Sequence, residues 1–247
     1  AVTKEPITLT VTFSEALTGT VGNSSFTATN GTVTSVTQVD SSNVYSVLVT
    51  PTAGVASGTV ALSLVGTGLS DAAGNAVVSA DLSSLASQAV DTTAPTLSST
   101  GPSVALSTIT GTAGNSSRET IALTLTFDGP VNGLTENTDT SIFSVAGKGV
   151  AASWSDTGST RTLTYTIAAG QNGQAAIDEA ALRTALIAGI TDAAGNGFAH
   201  TLDIPNIDTS GLPLVDTLAP TVSTVSEATA AAVTKDPITF TVTFSEA

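Results

Sequence analysis

The pentapeptide Asp71-Ala72-Ala73-Gly74-Asn75 returns letter for letter at Asp192-Ala193-Ala194-Gly195-Asn196, 121 residues later. An aspartate in such a setting has two uses. Its oxygens can accept hydrogen bonds from the backbone N–H groups of its own turn, with Gly supplying positive φ, or they can ligate a hard cation. Acid/base catalysis is a poor third, because the residues it needs are scarce. The 247 residues contain one His (His200), no Cys, no Met and only six Lys and Arg. Most general bases and nucleophiles are therefore missing, as are disulfides and a Cys/His zinc site. His200 reads as a structural or surface residue, and Asp178 and Glu179, adjacent in sequence, point away from each other on a helix and make a poor catalytic pair. The reading is that of a protein that is not an enzyme.

The carboxylates dominate the electrostatics. Twenty Asp and Glu give a formal charge of −14 and a pI near 4.1, which repels nucleic acid and anionic lipid while suiting calcium. Nucleic-acid binding is excluded on this ground. No apolar run is long enough to span a bilayer, and the first residues lack the pattern of a signal peptide. Asn23-Ser24-Ser25, Asn30-Gly31-Thr32 and Asn115-Ser116-Ser117 match the glycosylation pattern, but such triplets arise by chance in a chain rich in Ser, Thr and Asn.

The elements that must position these acids follow from internal repeats. AVTKEPITLTVTFSEA at 1–16 recurs as AVTKDPITFTVTFSEA at 232–247, with two changes, and a weaker copy, ETIALTLTFDGPVNGL, begins at Glu119. VDTTAPT at 90–96 returns as VDTLAPT at 215–221. The chain is thus a window on a tandem array, divided as 1–91, 92–216 and 217–247. Within each repeat the apolar period is two: Ile7, Leu9, Val11 and Phe13 alternate with threonines, as do Ile121, Leu123, Leu125 and Phe127. Further strands are expected at 25–30, 32–39, 44–50 and 58–66 and in TRTLTYTI, with hairpin tips at 40–43 and 156–159. This predicts an all-β fold of tandem antiparallel sandwiches. One segment departs: QAAIDEAALRTALIAG (174–189) has helical composition, with Ile177, Ala181 and Ala185 on one face and Gly189 to end it, so a short helix is expected in the second domain alone.

The order VTFSEALTG, a Thr/Val-rich hairpin, GLSDAAGNAV and VDTTAPT resembles the bacterial immunoglobulin-like repeats of large secreted adhesins and cell-surface proteins. In the second repeat FDGP replaces FSEA and the helix is inserted. The resemblance implies an extracellular or cell-surface stalk, fibre or surface-layer spacer, calcium at domain junctions, and no enzymatic activity.

In a seven-stranded sandwich, with 7–13 as the second strand and 58–66 as the sixth, both strands end at the pole where the chain enters the domain. Glu15 and Asp71 then share that pole, and the preceding linker adds its own acid. Three carboxylates converge at each junction: Asp91, Asp128 and Asp192 at the first, and Asp216 and Glu246 with a further aspartate at the second. Structural calcium is the expected cofactor there. The expected partners are neighbouring repeats, including head-to-tail copies in a filament. The alternative is a glycan- or protein-binding module in the second domain, where an exposed Trp154 or Tyr165 would stack on a sugar, although core packing is the role expected of these rings. The first domain lacks a first strand, because the segment that supplies it to the third repeat, 219–226, has no counterpart before residue 1. Residues 217–247 are therefore expected to form the opening strands of another sandwich.

Overall fold

The computed structural model describes residues 1–40, 43–78, 80–81, 87–98, 103–106, 120–135, 137–198, 212, 214–227 and 237–245. Glu246, His200, residues 41–42 of the first hairpin tip and the Asn115 triplet lie outside them.

In the first 90 residues the alternating segments form β1 (Ile7–Thr12), β2 (Phe26–Thr29), β3 (Gly31–Val39), β4 (Val44–Pro51), β5 (Gly58–Leu64), β6 (Ala80–Asp81) and β7 (Ser87–Val90). All pairings between them are antiparallel. One sheet has the order β1-β4-β3; in the other β5 pairs with β2, β6 and β7. The inward residues of the two sheets meet: Val47, Val49, Val60 and Leu62 are fully buried, and they join Ile7, Phe26 and Val90 in one core. Burying each such side chain contributes about 1.5–3 kcal/mol, set against the ordering of the chain. Period-two burial on β4 and β5 is what a half-covered sheet demands of a Thr/Val sequence.

The second unit repeats this plan with additions. It comprises β8 (Ser103–Leu106), β9 (Thr120–Thr126), β10 (Thr138–Asp139), β11 (Phe143–Val145), β12 (Lys148–Gly149), β13 (Ala152–Thr157), β14 (Thr160–Thr166), β15 (Gly173–Ile177), α1 (Glu179–Gly189) and β16 (Leu214–Val215). The sheets run β10-β13-β14-β9-β8 and β12-β11-β15-β16. β9 corresponds to β1, but β8 pairs along its outer edge. The effect on burial is plain: Leu123 and Leu125 of β9 are fully buried, whereas Leu9 and Val11 of β1 are only partly so. The two core clusters share no residue.

The helix corrects the sequence reading at its start. Residues 173–177 are β15, paired to β11 and β16, and helix begins only at Glu179. Asp178 caps it, its carboxylate accepting from the N–H groups of Ala180 and Ala181, both at 2.9 Å. Its buried stripe is also shifted: Leu182 and Leu186 are fully buried, with Ala181 and Ala185 only flanking them. The larger side chains win the core-facing positions because they remove more apolar area from water.

A third piece stands apart. β17 (Val222–Glu227) and β18 (Phe240–Phe244) pair with each other and, among the described residues, with no other strand. Val225, Phe240, Val242 and Phe244 on this ribbon are all exposed.

Candidate functional site: the domain junction

The acids were located by strand polarity, and the structure brings most of them together at domain poles. Glu15 and Asp71 line one crevice of about 220 Å3 with Phe13 and Asn75. Asp91, Asp128 and Asp192 line another of about 290 Å3, together with Thr93, Pro95 and Ala56. This second crevice lies between the two sandwiches.

Each carboxylate is also bound locally. In the first turn, Asp71 Oδ1 accepts from the N–H groups of Ala73 (2.9 Å) and Asn75 (2.8 Å), and Oδ2 from Asn75 Nδ2 (2.6 Å). Asp192 does the same with Ala194, Asn196 and Asn196 Nδ2, each at 2.8 Å. Gly74 and Gly195 both have φ near +85–89°, a conformation that costs Gly nothing. The Asn75 side chain is the main reason the Asp71 carboxyl is held below its ordinary pKa, with backbone N–H groups adding to it. In the linker, Asp91 accepts from Thr93 N–H (3.0 Å), and Asp216 from Leu218 N–H in the same way (3.0 Å). Asp128 reaches back to the linker, accepting from Thr96 N–H (3.1 Å) and Thr96 Oγ1 (2.7 Å).

Among the described residues, no three acidic or histidine side chains stand close enough to hold one metal ion in this arrangement. The crevice nonetheless carries an unmet polar group. Thr93 Oγ1 is buried there without a hydrogen-bond partner among the described residues. A buried unsatisfied hydroxyl costs about 1–3 kcal/mol; its oxygen and those of the three carboxylates are of the type hard cations take, and they are set among the apolar side chains of Ala56, Ala94, Pro95, Pro130 and Ala193.

The linker is tied to both neighbours. Thr92 donates its N–H to Val55 C=O (2.7 Å) and its hydroxyl to Thr52 C=O (2.7 Å), which fixes it to the first domain, while Thr96 is fixed to the second through Asp128. Two contacts bridge the domains directly. Lys4 Nζ donates to Gly195 C=O (2.6 Å), and Asn196 Nδ2 donates to Asp91 C=O (3.0 Å).

Sequence reasoning missed Arg161. It is fully buried, and its guanidinium donates to the carbonyls of Gly133 (2.6 Å), Thr160 (2.6 Å), Gly158 (3.2 Å) and Val131. Those bonds pin the loop that follows Asp128. Helix α1 presses on the same loop: a Cβ on Gly133 would lie 1.8 Å from Gly189 C=O. An arginine at an inward-facing position of TRTLTYTI was the available signal. Trp154 and Tyr165, by contrast, are each 2% exposed, so neither offers a ring face to a sugar; both are core residues of the second domain.

Among the described residues, no helix is long and apolar enough to cross a membrane. No curated protein and no solved structure matches the chain. A family match covers residues 1–90 and carries the description Bacterial Ig-like domain, a family of surface-associated structural modules that are typically not enzymes. The antiparallel two-sheet core, the repeated pole and this match agree over residues 1–90, which are similar to a bacterial Ig-like domain.

Proposed function

We propose that the chain is a spacer segment of an adhesin-like extracellular protein, built from tandem Ig-like sandwiches and stiffened by calcium where they meet. The supporting observation is the crevice between the sandwiches, lined by Asp91, Asp128 and Asp192 and by the unpartnered Thr93 hydroxyl. In a chain of net charge −14, these carboxylates repel one another, and a bound divalent cation would offset that repulsion while tying together two loops and the linker. The three carboxylates and Thr93 would hold it. By their positions in the repeat, Asp71 corresponds to Asp192 and Asp216 to Asp91, while Glu15 lies in the loop that corresponds to that of Asp128.

Small-angle scattering and calorimetric titration of the whole chain test this. Calcium is expected to bind with measurable heat and to extend and rigidify the particle, and Asp128→Asn is expected to weaken both effects. No heat, and an unchanged maximum dimension with calcium and with chelator, would overturn the reading.

A further inference from the structure

We propose that the junction between the first two domains carries a second, metal-independent lock: the DAAGN turn of one domain is the receptor for a basic residue and a linker carbonyl of the domain before it. The turn exposes two groups that its internal bonds leave unused. Its Gly carbonyl points outward, and its Asn amide has a second hydrogen after donating to the Asp carboxylate. In the turn at 192–196 both are engaged by the first domain, the carbonyl by Lys4 Nζ and the amide by Asp91 C=O. The Lys4 stem lies over the turn, with Cε 3.9 Å from where a Cβ of Gly195 would sit.

The lysine is anchored at the correct pole. Thr3 N–H donates to Ala89 C=O (3.2 Å) and Asp91 N–H to Thr3 C=O (3.1 Å). The stretch carrying Lys4 is thus laced to the strand that leads into the linker, and both domain-bridging donors and acceptors leave from one rigid edge.

The sequence supports the same assignment independently. The chain has six basic residues, and three of them, Lys4, Arg118 and Lys235, stand at the same place in the repeat. Each is followed by an acid (Glu5, Glu119, Asp236) and, three residues after the base, by the Ile that opens the alternating segment (Ile7, Ile121, Ile238). A basic residue kept at each copy of one position, in a chain this poor in base, points to a role repeated at each junction. A long side chain with a donor at its tip can reach a carbonyl across a junction, and both Lys and Arg satisfy that need.

The test uses the whole chain. It has no native Cys, so Thr10→Cys and Ser153→Cys, on exposed positions of the two domains, give a unique spin-label pair for distance measurement. All comparisons are made in chelator, and calcium is added separately. The wild-type sequence in chelator is expected to show one narrow distance peak; Lys4→Met should broaden and shift it, while Lys4→Arg should keep it narrow. Circular dichroism should show Lys4→Met folded. An unchanged narrow peak in Lys4→Met, or equal broadening in Lys4→Arg, would overturn the lock. Failure of the calcium reading has a different signature, the absence of any calcium effect on the wild-type peak.

Discussion

The two DAAGN turns have one sequence and one set of internal hydrogen bonds, yet they are not in the same situation. Asn75 is exposed, while Asn196 is buried to 8% exposure by the domain that precedes it. The turn is therefore a self-sufficient structural unit first and a contact surface second. Its carboxylate closes the loop whether or not anything docks, because Asp Oδ1 and Oδ2 accept three bonds from within the pentapeptide in both copies. What differs is the support beneath. At the first pole the Phe13 and Tyr45 rings meet edge to face, 5.7 Å apart. At the second, the position across the sheet from Leu125 is Arg161, where the first domain sets Tyr45 across from Val11. Arg161, satisfied by loop carbonyls, takes the place of Tyr45 and fixes the loop after Asp128, while the Phe127 ring, the counterpart of Phe13, meets Phe198 edge to face instead, 6.0 Å apart.

That contrast can be broken most severely at Arg161. Arg161→Leu should destabilise the second domain by at least about 3 kcal/mol, since each buried carbonyl left without a donor costs about 1–3 kcal/mol. Trp154 is the single Trp and sits in that core, so its fluorescence during denaturation reads the second domain alone. The first domain's amide exchange should not change. An effect within about 0.5 kcal/mol, the range of ordinary surface substitutions, would mean the clamp is dispensable.

A smaller effect sharpens the comparison of the turns themselves. Asn75→Ala and Asn196→Ala remove the same turn bond, but only the second also removes a bond across the junction. Asn196→Ala should cost about 1 kcal/mol more, measured by native-state hydrogen exchange on the amides of β4 and β14. Equal costs would mean that the bond to the Asp91 carbonyl adds nothing.

The smallest effect is in the titration of the exposed turn. Because the Asp71 carboxyl is lowered in the folded protein, chiefly by Asn75, its contribution to stability is present above the unfolded carboxyl pKa and is lost as pH falls through the folded one. Carboxyl-carbon NMR should place the Asp71 midpoint below its ordinary value, and Asn75→Ala should move it upward. A midpoint already at the ordinary value would remove the Asn75 bond from the account.

Much of the sandwich was legible because period-two apolar patterning is a local property: the strands at 7–12, 26–29, 31–39, 44–51 and 58–64 fall where alternation and turn residues place them. The poles were legible for a related reason, since counting antiparallel strands assigns an end to each loop, and Glu15 with Asp71, and Asp91 with Asp128 and Asp192, do line common crevices. The sequence alone could not place the start of the helix. Gln174, Ala175 and Ala176 are good helix formers, but two neighbouring strands capture their backbone, and ladder hydrogen bonds plus burial of Ala175 outweigh propensity differences of a few tenths of a kcal/mol per residue. Nor could it show that Arg161 is a core clamp, because the carbonyls it satisfies come from a loop 28 and 30 residues away. It also could not distinguish the two DAAGN turns, whose local chemistry is identical. Only docking separates them: one Asn meets solvent and the other meets the Asp91 carbonyl, 105 residues away in the chain, and such a contact exists only once two folded domains have come together.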